Sequence, residues 1–172
     1  MFLKRIKDIR EEYCLTGLEL AKILNVSKSN YSRWETDENL IPLKHLNNLC
    51  NHFNVSMDYI TGISNKRNYN NINTRLNKKL IGKRLRQFRN DKGLTQEKLA
   101  NILNTSHSTI SSYENGKTMI LTAFAFEICT KYNISLDYLM GRIDKNPKRW
   151  KNSIFFIFFN FSIDLYNNYV LY

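Results

Sequence analysis

Glycine and proline are scarce in this chain, six and two in 172 residues. An all-β protein needs more turn residues than that, so helices joined by short polar loops are expected. Cysteine is rarer still. Cys14, Cys50 and Cys129 form an odd set without CxxC spacing, which argues against a disulfide framework or a zinc knuckle and fits a reducing cytosol. His45, Cys50 and His52 lie near one another in the chain, but no fourth ligand completes a tetrahedral site, so neither metal nor cofactor is expected. A glycine-rich phosphate loop and a nucleophile elbow are also missing, and no catalytic residues are assigned. No apolar run approaches the roughly 20 residues of a membrane span. Met1 is followed by a charged amphipathic segment rather than the apolar core of a signal peptide, so a cytoplasmic protein is expected.

Charge of one sign is present in excess, and it is unevenly spread. The formal net charge is +11, yet residues 1–64 are neutral, with 8 basic and 8 acidic side chains. Residues 65–79 carry 5 basic groups and no acidic one, and residues 80–144 carry 9 basic against 6 acidic. Positive excess favours polyanions through phosphate contacts and counterion release, although a solvated face or a basic linker gives the same count.

The chain repeats itself. Lys4-Arg5-Ile6 aligns with Lys83-Arg84-Leu85 at an offset of 79, and the register holds without a gap to Gly62 over Gly141. Identical pairs include Arg10/Arg89, Thr16/Thr95, Ala21/Ala100, Asn25/Asn104, Ser27/Ser106, Glu35/Glu114, Cys50/Cys129, Asp58/Asp137 and Tyr59/Tyr138. Loops that stay in register mark two copies of one small domain rather than a shared helical pattern.

Each copy reads as five short helices. In the first, Ile6 and Ile9 recur at helical spacing, and Thr16 with Glu19 forms the capping-box pattern. Leu20, Ile23 and Leu24 make the apolar stripe of helix two. The turn Asn25-Val26-Ser27 leads into helix three, which runs through Trp34. Pro42 precedes helix four, striped by Leu46, Leu49, Cys50 and Phe53. Ser56 caps a last helix that Gly62 closes. The expected architecture is all-α, with domains at 1–64 and 80–144, a basic Asn-rich linker at 65–79 and an aromatic-rich tail at 145–172. About 15 extended linker residues reach roughly 50 Å. Half-sites on one face of DNA lie about 34–36 Å apart, so both domains can sit on one duplex.

Leu94-Thr95-Gln96-Glu97-Lys98-Leu99-Ala100, followed by Ser108-Thr109-Ile110-Ser111-Ser112-Tyr113-Glu114-Asn115-Gly116-Lys117, resembles the lambda-repressor-like (Xre or Cro/C1-type) helix-turn-helix family. That family is itself a standard illustration of helix-turn-helix docking on DNA. The first copy matches through Leu15-Thr16-Gly17-Leu18-Glu19-Leu20-Ala21 and Asn25 to Glu35, and both copies share a closing Ser-x-Asp-Tyr segment. From the residues themselves, Ala21 and Ala100 are small where helices two and three must cross. Tyr31, Trp34, Ile110 and Tyr113 face the core.

The resemblance implies a double-stranded DNA partner, with helix three of each copy in the major groove. Lys28, Ser29, Asn30 and Arg33 are then the base-contacting residues of the first copy, and His107, Ser108, Thr109 and Ser112 those of the second. Phosphate contact falls to Thr16, Ser27 and Ser32, and to Thr95, Gln96, Ser106, Ser111, Asn115 and Lys117. The first copy departs from the pattern. Gly17 stands for Gln96, and Thr36, Asp37 and Glu38 replace Asn115, Gly116 and Lys117, so two acids lie near the expected phosphate path. Unlike recognition helices imply an asymmetric binding site.

The expected role is a transcriptional regulator, a repressor by family habit. The alternative is an antitoxin-like or adaptor module in which the first domain binds a protein and only the second binds DNA. A homodimer or a small protein partner stays open beside either. In the tail, Lys148-Arg149-Trp150-Lys151 precedes the apolar run from Ile154 to Ile163. It reads as a poorly ordered or self-associating segment, a dimer contact or a truncated remnant, and membrane contact is disfavoured.

Overall fold

The computed structural model describes residues 5–147, so the expectations for 148–172 fall outside the described residues. These residues form ten helices and no strand. The first half contains α1 (Ile6–Glu12), α2 (Gly17–Ile23), α3 (Lys28–Glu35), α4 (Leu43–His52) and α5 (Met57–Ile60). The second contains α6 (Lys78–Asp91), α7 (Gln96–Ile102), α8 (His107–Glu114), α9 (Thr122–Tyr132) and α10 (Leu136–Leu139).

Local chemistry sets these boundaries. Thr16 accepts from the Glu19 amide at 3.2 Å while the Glu19 carboxylate accepts from the Thr16 amide at 2.7 Å, the reciprocal cap expected from the sequence. Thr95, Ser27, Ser106, Ser56 and Ser135 each accept one backbone N–H in the first turn of α7, α3, α8, α5 and α10, caps without the return bond. Each such cap contributes about 1 kcal/mol. The turn from α2 to α3 passes through Asn25 at φ 53°, and that from α7 to α8 through Asn104 at φ 47°, a left-handed conformation that asparagine tolerates.

Tyr31, Trp34, Ile110 and Tyr113 are buried as expected, and so are Ala21 and Ala100 where the helix pairs cross. Ile23 is a correction: it is 40% exposed. Leu20, Ala21 and Leu24 already fill the arc of α2 that faces the core, and Ile23 falls outside it.

The buried apolar residues of both halves form one contiguous cluster. The halves meet at α5 and α10. The Asp137 carboxylate accepts the backbone N–H of Met57 at 3.1 Å and of Asp58 at 2.9 Å. Asp58 reciprocates, accepting the Leu136 N–H at 2.6 Å and the Ser135 hydroxyl at 2.6 Å. Each acid thus caps the other half's last helix, where the positive end of the helix favours negative charge. Both acids are fully buried, and both caps cross the junction between the halves.

Segment 65–77 does not behave as a free spacer. The Ser56 amide donates to the Arg67 carbonyl at 2.6 Å, and the Ser56 hydroxyl to the Lys66 carbonyl at 2.8 Å. Asn47 and Asn51 both donate to the Thr74 carbonyl, at 2.8 and 2.9 Å. The Asn73 amide donates to the Arg142 carbonyl of the second half at 2.8 Å. Helix α6 begins at Lys78, with the Asn77 side chain accepting from Lys79 and Leu80. The strap is therefore fastened to both halves.

Candidate nucleic-acid interface

Helices α3 and α8 each present one face to the core and one to solvent. On α3, Lys28, Ser29, Asn30, Ser32 and Arg33 are exposed, because Tyr31 and Trp34 turn inward between them. Neither Lys28 nor Arg33 makes an ion pair among the described residues, so both charges are available to a polyanion. On α8, His107 and Ser108 are exposed, while Thr109, Ser111 and Ser112 are half-buried. The Ser106 hydroxyl bonds those of Ser108 and Thr109, each at 2.8 Å, making a small polar knot at the start of α8. The two outward faces therefore differ in kind: charged and long on α3, neutral and short on α8.

Below these faces lies a support that the sequence reading did not pair up. Arg10 of α1 donates to Glu35 of α3 at 2.9 Å. In the second half Arg89 of α6 donates to Glu114 of α8 through two nitrogens. Each arginine also caps a carbonyl of the next loop, Arg10 to Leu15 and Arg89 to Leu94, both at 2.8 Å. The Glu114 side chain has no exposed surface. Burial pushes its carboxyl up, but hydrogen bonds from Arg89 and Gln96 outweigh that and hold it below the usual carboxylate value. The available signal was the joint recurrence of Arg10/Arg89 and Glu35/Glu114 in both copies.

This support changes the reading of Gln96. Its amide donates to Glu114 at 2.7 Å, so one of its two N–H bonds is directed inward. The first half keeps the glutamate and changes the donor. Gly17 takes the place of Gln96, the Tyr31 ring lies 3.4 Å from where a Gly17 Cβ would stand, and the Tyr31 hydroxyl donates to Glu35 at 3.1 Å. Burial and then the charge of Glu35 push the Tyr31 phenol up, which keeps it a donor.

Of the other residues assigned to phosphate, Thr16 has its hydroxyl engaged with Glu19 at 2.7 Å. The hydroxyl oxygens of Ser27, Thr95 and Ser106 accept cap bonds from their own helices. Asn115 is held by Arg86 at 2.7 Å and by Ser111 at 3.3 Å, which places Arg86 beside the same loop. The Lys117 ammonium has no partner among the described residues. In the first half the matching loop is closed on itself, Thr36 donating to Glu38 at 3.0 Å. Gly82 explains how α6 supports α8. A Cβ there would stand 2.4 Å from the Tyr113 carbonyl oxygen, so only glycine lets the two helices meet. Among the described residues no group of three metal-ligating side chains converges, and no helix is long and apolar enough to cross a membrane.

Comparison with known proteins follows the repeat. A helix-turn-helix family model matches twice, at residues 6–60 and 85–139. The antitoxin PezA of Streptococcus pneumoniae serotype 4 is 36% identical over 62 residues, which is 36% of this chain and 39% of that protein. The HTH-type transcriptional regulator ImmR of Bacillus subtilis strain 168 is 34% identical over 68 residues, 40% of this chain and 54% of its own length. The HTH-type transcriptional regulator YobD of the same organism is 33% identical over 64 residues, 37% of this chain and 57% of its own. Each match thus spans about half the relative or less.

Proposed function

The chain belongs to the helix-turn-helix family, of the Cro/C1 type, in both of its halves, and we propose on that basis that it is a sequence-specific regulator of transcription acting on double-stranded DNA. In this reading α3 and α8 enter the major groove. Lys28, Ser29, Asn30 and Arg33 reach base edges from the first half, and His107, Ser108, Thr109 and Ser112 from the second. Lys and Arg suit guanine O6 and N7, whereas short hydroxyls read through water and DNA shape. Thr16, Ser27, Ser32, Thr95, Gln96, Ser106, Ser111, Asn115 and Lys117 line the phosphate path. The protein acts as a repressor, covering a promoter in the cytoplasm, and uses no cofactor.

The observation that carries this reading is the outward polar face of each third helix, held on a buried support by Arg10–Glu35 and Arg89–Glu114. A rigid helix with an outward polar face is what base readout needs. The test is selection from a pool of randomised duplex DNA, followed by affinity against salt concentration. An enriched sequence whose affinity falls steeply with salt supports the reading. Binding that is equal for all sequences counts against it.

A second reading concerns the first half alone. Leu18 is 46% exposed where the second half has Glu97, and Asp37 and Glu38 replace Gly116 and Lys117. Those substitutions suit a protein partner better than a phosphate backbone, and one relative is named an antitoxin. Loss of base preference in neither half of the site on Arg33→Ala would favour this second reading.

A further inference from the structure

The bonds between α5 and α10 are reciprocal at the level of the repeat. Met57 corresponds to Leu136 and Asp58 to Asp137 at the offset of 79. The Met57 amide meets Asp137, and the Leu136 amide meets Asp58. When residue i of one unit touches residue j of the other and j touches i in return, the contact is isologous and the units are related by a two-fold axis. Here both units belong to one chain.

The two-fold is approximate, and its departures are specific. Arg142 is 1% exposed and crosses into the first half, where it donates to Asn47, to Asn51 at 2.7 Å and to the Val55 carbonyl at 3.4 Å, while bonding Asp137 at 2.9 Å. The position equivalent to Arg142 is Ile63, and those equivalent to Asn47 and Asn51 are Phe126 and Thr130. Asp58 is served by the strap, through the Tyr69 hydroxyl at 2.8 Å. Pairing two second halves would bury Arg142 against Phe126 instead of Asn47, leaving a buried charge short of acceptors. Pairing two first halves would set Ile63 against the amides of Asn47 and Asn51. Only the unlike pair satisfies every group, and the strap of residues 65–77 fastens that pair within one chain.

We propose that this chain is its own dimer. A single copy binds one duplex, and the approximate two-fold sets α3 and α8 over two non-identical half-sites in inverted orientation. The proposal rests on the DNA-binding reading above and adds the arrangement and stoichiometry of the site. A tandem repeat joined by a free linker would take direct repeats as readily and at variable spacing; a reciprocal, bonded pair takes inverted halves at one spacing.

The experiment uses the full chain and a pool of randomised duplex DNA, with native mass spectrometry of the free chain and of its complex with the selected duplex. The expected result is a free monomer, a complex of one chain with one duplex, and a site of two unlike halves in inverted order whose affinity collapses when one half is reversed. A direct repeat, a true palindrome holding two chains, or a free dimer overturns the proposal. If no sequence is enriched, the DNA-binding reading itself fails, and the mass of the free chain still decides whether the pairing is closed within one copy. Arg142→Ile, which restores the residue type of the equivalent position, is expected to weaken binding to the two-part site by about tenfold or more while leaving a duplex with a single half-site unaffected. Equal loss on both duplexes overturns a pairing role for Arg142.

Discussion

Arg89 and Glu114 bridge the first and third helices of the second half, with Nη2 of Arg89 3.1 Å from Oε2 of a carboxylate that has no exposed surface. Arg10 and Glu35 make the equivalent bridge where the glutamate side chain is 18% exposed. Removing one partner of a buried pair leaves the other charge uncompensated, at a cost of roughly 3–5 kcal/mol. Glu114→Ala is therefore expected to destabilise the chain by about 3 kcal/mol and Glu35→Ala by about half that. Urea unfolding of both variants checks the ranking, and equal losses would remove burial as the cause.

Gly82 offers a way to disturb the α8 face proposed to read DNA without altering any residue on it. Its missing Cβ is what lets α6 approach the carbonyls of Tyr113 and Glu114 at the end of α8. Gly82→Ala must push the helices apart, an overpacking cost of about 1–3 kcal/mol. The expected outcome is lower thermal stability together with weaker discrimination between the selected site and random DNA. Unchanged stability would show that α6 yields freely.

Acid should act in opposite directions on two carboxyls. Burial, and then the charge of Asp58, push the Asp137 carboxyl up to about 6, against the amides of Asp58 and Met57 and the Arg142 guanidinium. Two acids and one arginine share that buried site, so one added proton neutralises it. A carboxyl raised in the folded state contributes stability that is complete below its ordinary value and lost as pH rises through about 6. Glu114, held low, contributes stability that is present above the ordinary carboxylate value and lost as pH falls through its depressed one. Between pH 7 and 5 the Asp137 carboxyl is expected to add stability as pH falls. Asp137→Asn removes it, and comparison of urea midpoints cancels the histidines common to both proteins. A wild-type advantage that grows with rising pH would have the wrong sign.

On the proposed DNA-binding reading, Arg33 and Lys117 separate base contact from phosphate contact. Arg33→Ala is expected to cost about 1–3 kcal/mol on the selected site and to relax preference in one half only. Lys117→Ala should weaken binding to all sequences alike and lower the salt slope by about 1. Affinities on matched and scrambled duplexes at several salt concentrations distinguish the two.

The helices, their caps and the inward residues Tyr31, Trp34, Ile110 and Tyr113 were legible because periodicity and capping are local. Ile23 was misplaced because periodicity cannot say how wide the buried arc is once Leu20, Ala21 and Leu24 have filled it. The outward face of α3 was legible by subtraction from the core. What lay hidden was contact at a distance. The strap is held largely by its own carbonyls, at Lys66, Arg67 and Thr74, and a carbonyl leaves no mark in a sequence. Asp58 and Asp137 were visible as a repeated pair, yet an acid that caps its own helix and one that caps its twin's look alike until the halves are seen together.

The exchange of Gly17 and Tyr31 for Gln96 and Ile110 bears on how such a chain can change after duplication. Gln at position 17 with Tyr31 still present would put its first side-chain carbon in van der Waals contact with the ring, 3.4 Å away. Ile at position 31 with Gly17 still present would remove the hydroxyl from Glu35 and open space around it. The order of the two steps therefore matters: glutamine can arrive while the tyrosine hydroxyl still serves Glu35, whereas isoleucine arriving first leaves Glu35 one donor short. Recombination between the halves that moves Ile110 into the place of Tyr31 without Gln96 removes that donor beneath the third helix.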